Sequence, residues 1–385
     1  MNAHPGDGRS TAWADAVARL WPDADVGTGR TPGAVREFVF LPNAEHPRLL
    51  LPAGQPAAAA SALRRYSHDL GARQRVTRAL TATAVRAGLA DRVLRDRLLV
   101  TGAGESIENR LGELLGRRVV LSVGLGSERA NRKPILHVLT PRGEPLAFVK
   151  VGDTPMARDL IEGEASALSH LATRSFHHLA VPRVLHYDEW RDLHLLVLTP
   201  LPTGALSLRS RRGAPVAAMR ELTGATHRIP LAESAFWARF ADVPIDDPDQ
   251  RKRLSDAVGR IGETYGDDEV AFGAWHGDWT PWNMAWHGGR VQLWDWERFD
   301  AQVPAGLDLL HYRSQTGGGY GTWPDPAILS PLDQHGRTAA ITTELYVLEL
   351  TRRYLCAAQG GLGEPLRPQA AGLLDLLYAN AGRTA

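Results

Sequence analysis

The chain has 385 residues, which at roughly 100–200 residues per domain predicts about two or three structural units. Hydrophobic residues make up 44% and charged residues 23%, proportions that support sizeable cores and exclude a largely disordered chain. Forty-four Lys and Arg against 43 Asp and Glu leave a net charge of +1, so no global excess of positive charge exists to hold nucleic acid or an anionic membrane.

Cys356 is the only cysteine, which excludes an internal disulfide and a thiolate metal cluster. The N-terminal MNAHPGDGRSTAW lacks a basic-then-apolar signal pattern, and no apolar run approaches the eighteen or more residues of a membrane span. The expectation is a cytoplasmic protein with neither membrane nor nucleic acid as partner. Only Lys133, Lys150 and Lys252 are lysines among the 44 basic residues. Lys150 lies in the apolar strand-like run LAFVKVGD, where a long cation is costly to bury without a partner.

In chain order, residues 1–12 read as a disordered polar tail and 13–114 as an N-terminal α/β extension. The extension holds a helix-like TAWADAVARLW, two strands around REFVFLPNAEHPRLLLPAG joined by a turn at Asn-Ala-Glu-His-Pro, and an Arg-rich helical stretch over 57–89. Residues 115–200 change to short β-like runs at 118–126, 134–140, 146–152, 181–188 and 193–201, with a helix-period stretch at 157–172. That order is β-β-β-α-β-β, mostly antiparallel by its short connections. Residues 201–385 read as largely helical, at 215–228, 233–241, 248–265, 306–315, 337–359 and 365–380, with one strand pair at MAWHGGRVQLWDW.

The densest chemical signal is WHGDWTPWNMAWHGGRVQLWDWERFD, residues 275–300. Asp278 and Asn283 stand five apart on a loop, and Asp295 follows at the end of a hairpin strand turned by Gly288-Gly289. Hard oxygen donors of this kind suit Mg²⁺, and a remaining carboxylate can accept a proton from a hydroxyl nucleophile.

HGDWTPWN followed by LWDW resembles the H-G-D-x-x-x-x-N…I-D-W signature of the aminoglycoside phosphotransferase and choline kinase superfamily, distant relatives of protein kinases. The resemblance implies an α+β, two-lobed protein-kinase-like fold, with a small antiparallel β-sheet lobe over 115–200 for the nucleotide and a larger, mainly helical lobe over 201–385. It implies Asp278 as catalytic base, His276 as support of the loop, and Asn283 and Asp295 as magnesium ligands. Upstream, Gly124, Gly126 and Ser127 match the family's glycine loop, Lys150 its strand lysine, and Glu164 on the 157–172 helix the lysine's partner, with Glu162 as competitor. LLVLTPLPTG resembles the connector between lobes that holds adenine, with Thr199 offering a carbonyl and, since Pro200 lacks an N–H, Leu201 the donor. ATP and Mg²⁺ are the implied cofactors and a small-molecule hydroxyl compound the implied acceptor.

The likeness covers about residues 115–360, and it has departures. Trp279 and Thr280 replace the family's leucine and histidine, Trp282 replaces its glycine, and the downstream G-D-P-x-x-D-L-A pattern survives only in part around Asp308. Asp308 is expected to hold the loop by hydrogen bonds, and His177, His178, His287 and His311 are expected at the surface or at caps. Two other readings stand beside the kinase: a catalytically silent nucleotide-binding scaffold acting through the extension, and a metal-dependent phosphoesterase built on His276 and Asp278. The extension fits a cap on the nucleotide lobe, a dimer contact or a partner site equally well.

Overall fold

The computed structural model describes residues 11–28, 35–65, 82–83, 85–86, 96–102, 104–125, 133–202, 213–317 and 319–383. The chain divides into two compact units, one of residues 1–169 and 182–205, the other of residues 170–181 and 206–385.

The first unit is built on a nine-stranded sheet. Its strands are β1 (Asp25–Thr28), β2 (Arg36–Leu41), β3 (Leu49–Pro52), β4 (Arg97–Thr101), β5 (Val120–Gly124), β6 (Ile135–Leu139), β7 (Pro145–Gly152), β9 (Val184–Trp190) and β10 (Leu193–Leu198). They run in the order β1-β4-β2-β3-β5-β6-β7-β10-β9, and every neighbouring pair is antiparallel. The turn between β2 and β3 closes where the Asn43 side-chain oxygen accepts the His46 N–H at 2.9 Å, the local bond that makes Asn a turn residue. Strand alternation sorts the apolar side chains. Leu50, Val123, Val138, Val149 and Val197 face one core with Ile107 and Leu111 of α3 (Ile107–Leu115) and Val17 of α1 (Thr11–Ala18). Leu49, Leu51 and Leu139 face another with the alanines of α2 (Pro56–Arg65).

The stretch 13–114 supplies the first four strands of this sheet. β3 pairs with β5 through Leu49–Gly124 and Leu50–Val123, so the ladder crosses the 114/115 boundary without a break. Thr11 and Ala12 already belong to α1, and helix starts inside the stretch read as a tail. Of the Arg-rich helical stretch, α2 covers the beginning; most of the remainder lies outside the described residues.

The second unit contains α5 (Val216–Thr223), α6 (Ala235–Ala238), α7 (Pro248–Tyr265), α8 (Leu307–Thr316), α9 (Gly336–Ala357) and α10 (Arg367–Asn380). α7 starts where the Asp247 carboxylate accepts the N–H groups of Asp249 and Gln250, with Pro248 in the first turn. α9 is buried along most of its length and forms the centre of the core with Phe272, Leu310 and Leu374.

Two small sheets interrupt the helices, where the sequence shows only one strand pair. β13 (Met284–His287) and β14 (Arg290–Leu293) form the expected hairpin, joined by β8 (Leu179–Ala180) in parallel. A second sheet of β11 (His227–Pro230), β12 (Glu269–Trp275) and β15 (Asp300–Pro304) runs antiparallel throughout. The expected helix 215–228 therefore ends early: Gly224 turns to φ +70° and His227 enters β11. These strands pair with partners distant in sequence and show no tight-turn signature. No helix among the described residues is long and apolar enough to cross a membrane.

Candidate active site

In the first unit the central feature is Lys150 on β7. Ala147, Val149 and Val151 turn into the core, so Lys150 points to the opposite side, toward α4 (Pro155–Leu171). Thr154 accepts the Ala157 N–H at 3.2 Å and Pro155 opens the first turn, which starts the helix. The buried residues of α4 include Ala157, Ile161, Glu164, Leu168 and Leu171, a stripe at helical spacing with one carboxylate in it. Gly152 lets the helix come close, because a Cβ there would lie 3.1 Å from the Arg158 Cα. The result is a buried ion pair between Lys150 Nζ and Glu164 Oε2. Glu162 lies on the exposed face.

Gly124 ends β5, paired with Leu49 and Ile135; Gly126 and Ser127 lie outside the described residues. Beyond β10, the Thr199 N–H donates to the Arg183 carbonyl at 2.9 Å and its hydroxyl accepts the Arg183 N–H at 2.8 Å. Leu201 is buried.

In the second unit β12 delivers His276, Gly277 and Asp278. Gly277 has φ +82°, and a Cβ on it would lie 2.3 Å from the Arg298 carbonyl oxygen, so only glycine fits. The backbone of this corner is held by side chains. Asp308, in the first turn of α8, accepts the His276 N–H at 2.8 Å and the Gly277 N–H at 3.1 Å, one on each oxygen. Arg353 of α9 donates to the Gly277 carbonyl at 2.8 Å. Burial pushes the Asp308 carboxyl up to about 7, against the pull of those two N–H groups and of Arg353.

His276 is fully buried, walled by Trp296 and Trp279 at ring distances of 4.6 and 6.1 Å. Its Nδ1 accepts the Asp278 N–H at 3.2 Å, which leaves the proton on Nε2 to be donated to the Trp294 carbonyl at 3.1 Å. Burial pushes its imidazole down to about 4, in keeping with that neutral tautomer. With both nitrogens engaged inside the loop, His276 acts on loop geometry.

The Asp278 carboxylate is gripped at each oxygen. Asn283 Nδ2 donates to Oδ2 at 2.9 Å and also to the Asp278 carbonyl at 2.9 Å, and His311 Nε2 lies 3.1 Å from Oδ1. The Asp278 side chain is nevertheless 33% exposed, whereas that of His311 is 4% exposed. Both amide hydrogens of Asn283 are thus committed, and its Oδ1 is the atom left for a cation. Its carbonyl accepts the Trp294 N–H at 3.0 Å, bringing the β14 end, and Asp295 after it, next to the loop. Asp295 takes φ +72°, a left-handed conformation that costs a non-glycine residue energy and recurs where a side chain is aimed for function. An amide oxygen and a carboxylate at adjoining positions are a donor set that suits a hard cation.

His177, His178 and His287 are exposed, but His311 is not at the surface; α8 carries it inward one turn beyond Asp308. The i, i+3 spacing from Asp308 was the available sign, since both then share a helix face. The tryptophans also sort themselves. Trp279 and Trp296 are core, while Trp282 is 43% exposed.

No family model matches the chain, and no curated protein matches it by sequence. Solved structures do. A thermostable mutant of aminoglycoside phosphotransferase APH(4)-Ia in ternary complex with AMP-PNP and hygromycin B aligns at 15% identity and TM-score 0.50, over 73% of this chain and 100% of that one. ADP-bound aminoglycoside phosphotransferase APH(2'')-Ib aligns at 13% identity and TM-score 0.45, over 71% and 97%. Amicoumacin kinase hAmiN in complex with AMP-PNP, Ca²⁺ and Ami aligns at 12% identity and TM-score 0.43, over 68% and 88%. With its antiparallel sheet unit and its helical unit, the chain has the protein-kinase-like fold of the aminoglycoside phosphotransferases.

Proposed function

We propose that the chain is an ATP- and Mg²⁺-dependent phosphotransferase that moves the γ-phosphoryl group to a hydroxyl of a small molecule. The observation that carries this reading is the Asp278 carboxylate, one-third exposed and held at both oxygens within a buried, side-chain-braced loop. Such a group can orient an incoming hydroxyl and take its proton. As the acceptor oxygen bonds to the γ-phosphorus, the bond from that phosphorus to the β-bridging oxygen breaks and its electron pair leaves with ADP. The hydroxyl proton passes to Asp278.

The other residues serve position and charge. Lys150, steadied by Glu164, is assigned to the α- and β-phosphates, with Gly124, Gly126 and Ser127 in the phosphate loop. The Thr199 carbonyl and the Leu201 N–H are assigned to the adenine edge. Asn283 and Asp295 would hold Mg²⁺, which supplies neutralisation of phosphate charge. The fold neighbour that carries AMP-PNP with hygromycin B supports a nucleotide paired with a small polar acceptor.

Trp282, 43% exposed beside Asn283, is assigned as a stacking face for a sugar or an organic cation. Trp282→Ala is expected to raise the acceptor KM by roughly tenfold, with the ATP KM unchanged, in steady-state kinetics. The whole reading is tested by ADP release from Mg·ATP against aminoglycosides, choline-like amines, sugars and nucleosides, with and without EDTA. Acceptor-dependent, EDTA-sensitive release supports it. Stabilisation by Mg·ATP without turnover favours the silent nucleotide-binding scaffold, and absence of nucleotide binding removes the reading.

A further inference from the structure

We propose that His311 is a positioning residue for Asp278, holding the carboxylate in its working orientation from behind, with Tyr346 holding His311 in turn. The inference rests on the role given to Asp278 above, and its geometry lies wholly in the second unit.

The carboxylate of an aspartate turns about a short side chain, and one donor leaves that rotation open. Here there are two donors, from different elements and on different oxygens. Asn283 on the loop takes Oδ2 at 2.9 Å, and His311 on α8 takes Oδ1 at 3.1 Å. Together they define the plane of the carboxylate. α8 therefore secures the loop twice, through Asp308 on the His276 and Gly277 N–H groups and through His311 on the reacting side chain one turn later.

The tautomer follows from the partners. An ionised carboxylate only accepts, so His311 Nε2 carries the hydrogen and Nδ1 presents a lone pair. The Tyr346 hydroxyl of α9, which also bonds with Ser314, lies 3.3 Å from that Nδ1 and is placed to donate to it. Tyr346 is buried at 1% exposure, and burial pushes its phenol up from the ordinary value, so the hydroxyl keeps its proton. His311 is itself 3% exposed, with the Tyr320 ring 6.1 Å away. A buried imidazole with a donor task on one side and an acceptor task on the other has one ring orientation that satisfies both.

Displacing a reacting group by about 1 Å costs on the order of 10²-fold in rate. His311→Phe keeps a ring and removes both nitrogens. It is expected to lower kcat by about 10- to 100-fold while KM for ATP and for the acceptor hold. His311→Gln restores an N–H near the Nε2 position and is expected to recover most of the loss; Tyr346→Phe gives an intermediate loss. Asp278→Asn is run beside them. Turnover surviving in Asp278→Asn overturns the assignment of Asp278 as base. Loss of turnover there with unchanged kcat in His311→Phe overturns the present inference alone.

A second readout needs no acceptor and no turnover. In full-length protein labelled with [¹⁵N]histidine, the imidazole signal absent from His311→Gln is that of His311. The expected pattern is a protonated Nε2 and an unprotonated Nδ1, with the Nε2 signal moved by Asp278→Asn and the Nδ1 signal by Tyr346→Phe. A proton on Nδ1, or a signal indifferent to Asp278→Asn, overturns the proposal, including in the event that His311→Phe does not fold.

Discussion

Asp278→Asn is expected to reduce acceptor-dependent ADP release by on the order of 10²–10⁴-fold, the usual contribution of a positioned general base. The substitution keeps the shape of the side chain and one accepting oxygen but removes the proton acceptor. Its amide nitrogen also faces either Asn283 Nδ2 or His311 Nε2, both of which donate to the carboxylate in the native protein. One of those bonds is lost, and the loop side chain is no longer gripped at both ends. The Lys150–Glu164 pair, proposed above for the nucleotide phosphates, belongs to the other unit, so the Mg·ATP thermal shift is expected to persist while turnover collapses. Wild-type turnover in a folded Asp278→Asn protein, measured by coupled ADP detection, would remove Asp278 from the chemistry.

The largest effect on stability is expected at Glu349, which no catalytic signature marks. This carboxylate is 1% exposed on α9. It accepts from Arg352 at 2.9 and 3.0 Å and from Arg353 at 2.8 Å, with Arg239 at 3.8 Å. Burial alone would raise its carboxyl, but the Arg352 bonds and the charges of Arg353, Arg352 and Arg239 overcome it and hold the group below its ordinary value. A depressed carboxyl contributes stability above its unfolded value of 4.5 and loses it as pH falls through the folded value. At neutral pH the contribution is therefore fully present.

Glu349→Leu removes the carboxylate that Arg352 and Arg353 share and leaves the largely covered Arg353, stacked on the Trp275 ring at 4.3 Å from its centroid, without its ion-pair partner. Breaking a buried pair in this way costs about 3–5 kcal/mol, on the order of 10 °C in melting midpoint for a unit of this size. Because Arg353 also holds the Gly277 carbonyl, the loss extends to the loop that presents Asp278. The exposed i,i+4 pair Lys252–Asp256 is the control: its removal is expected to leave the midpoint nearly unchanged. A midpoint equally insensitive to Glu349→Leu in differential scanning calorimetry would contradict the assignment.

Much of the site is legible in the sequence because its grammar is local. Lys150 stands out as a cation in an apolar strand, and Glu164 falls at the one acidic position of the buried stripe of α4. Gly277 between His276 and Asp278 marks a corner that no side chain fits. What is not legible depends on distant partners. β11, β12 and β15 pair across long separations, so no short window contains the pattern that makes them strands. His311 looks like any helical histidine until α9 brings Tyr346 to one nitrogen and the loop brings Asp278 to the other. Its role is a property of three elements and cannot be written in any one of them.

The continuity of the nine-stranded sheet decides which strand stands at its edge. β5 takes its ladder partners from Leu49 and Leu50 of β3. A chain begun at residue 115 would turn β5 from an interior strand into an open edge of apolar residues, and it would strip α2 from the Leu139 face. An edge of that kind recruits other strands. In the intact protein the boundary of the sheet is moved outward to β1, four residues long and mostly exposed, and short polar edges of this sort offer a poor template for a second chain. β1 to β4 thus keep β5 in the interior of the sheet that carries Lys150.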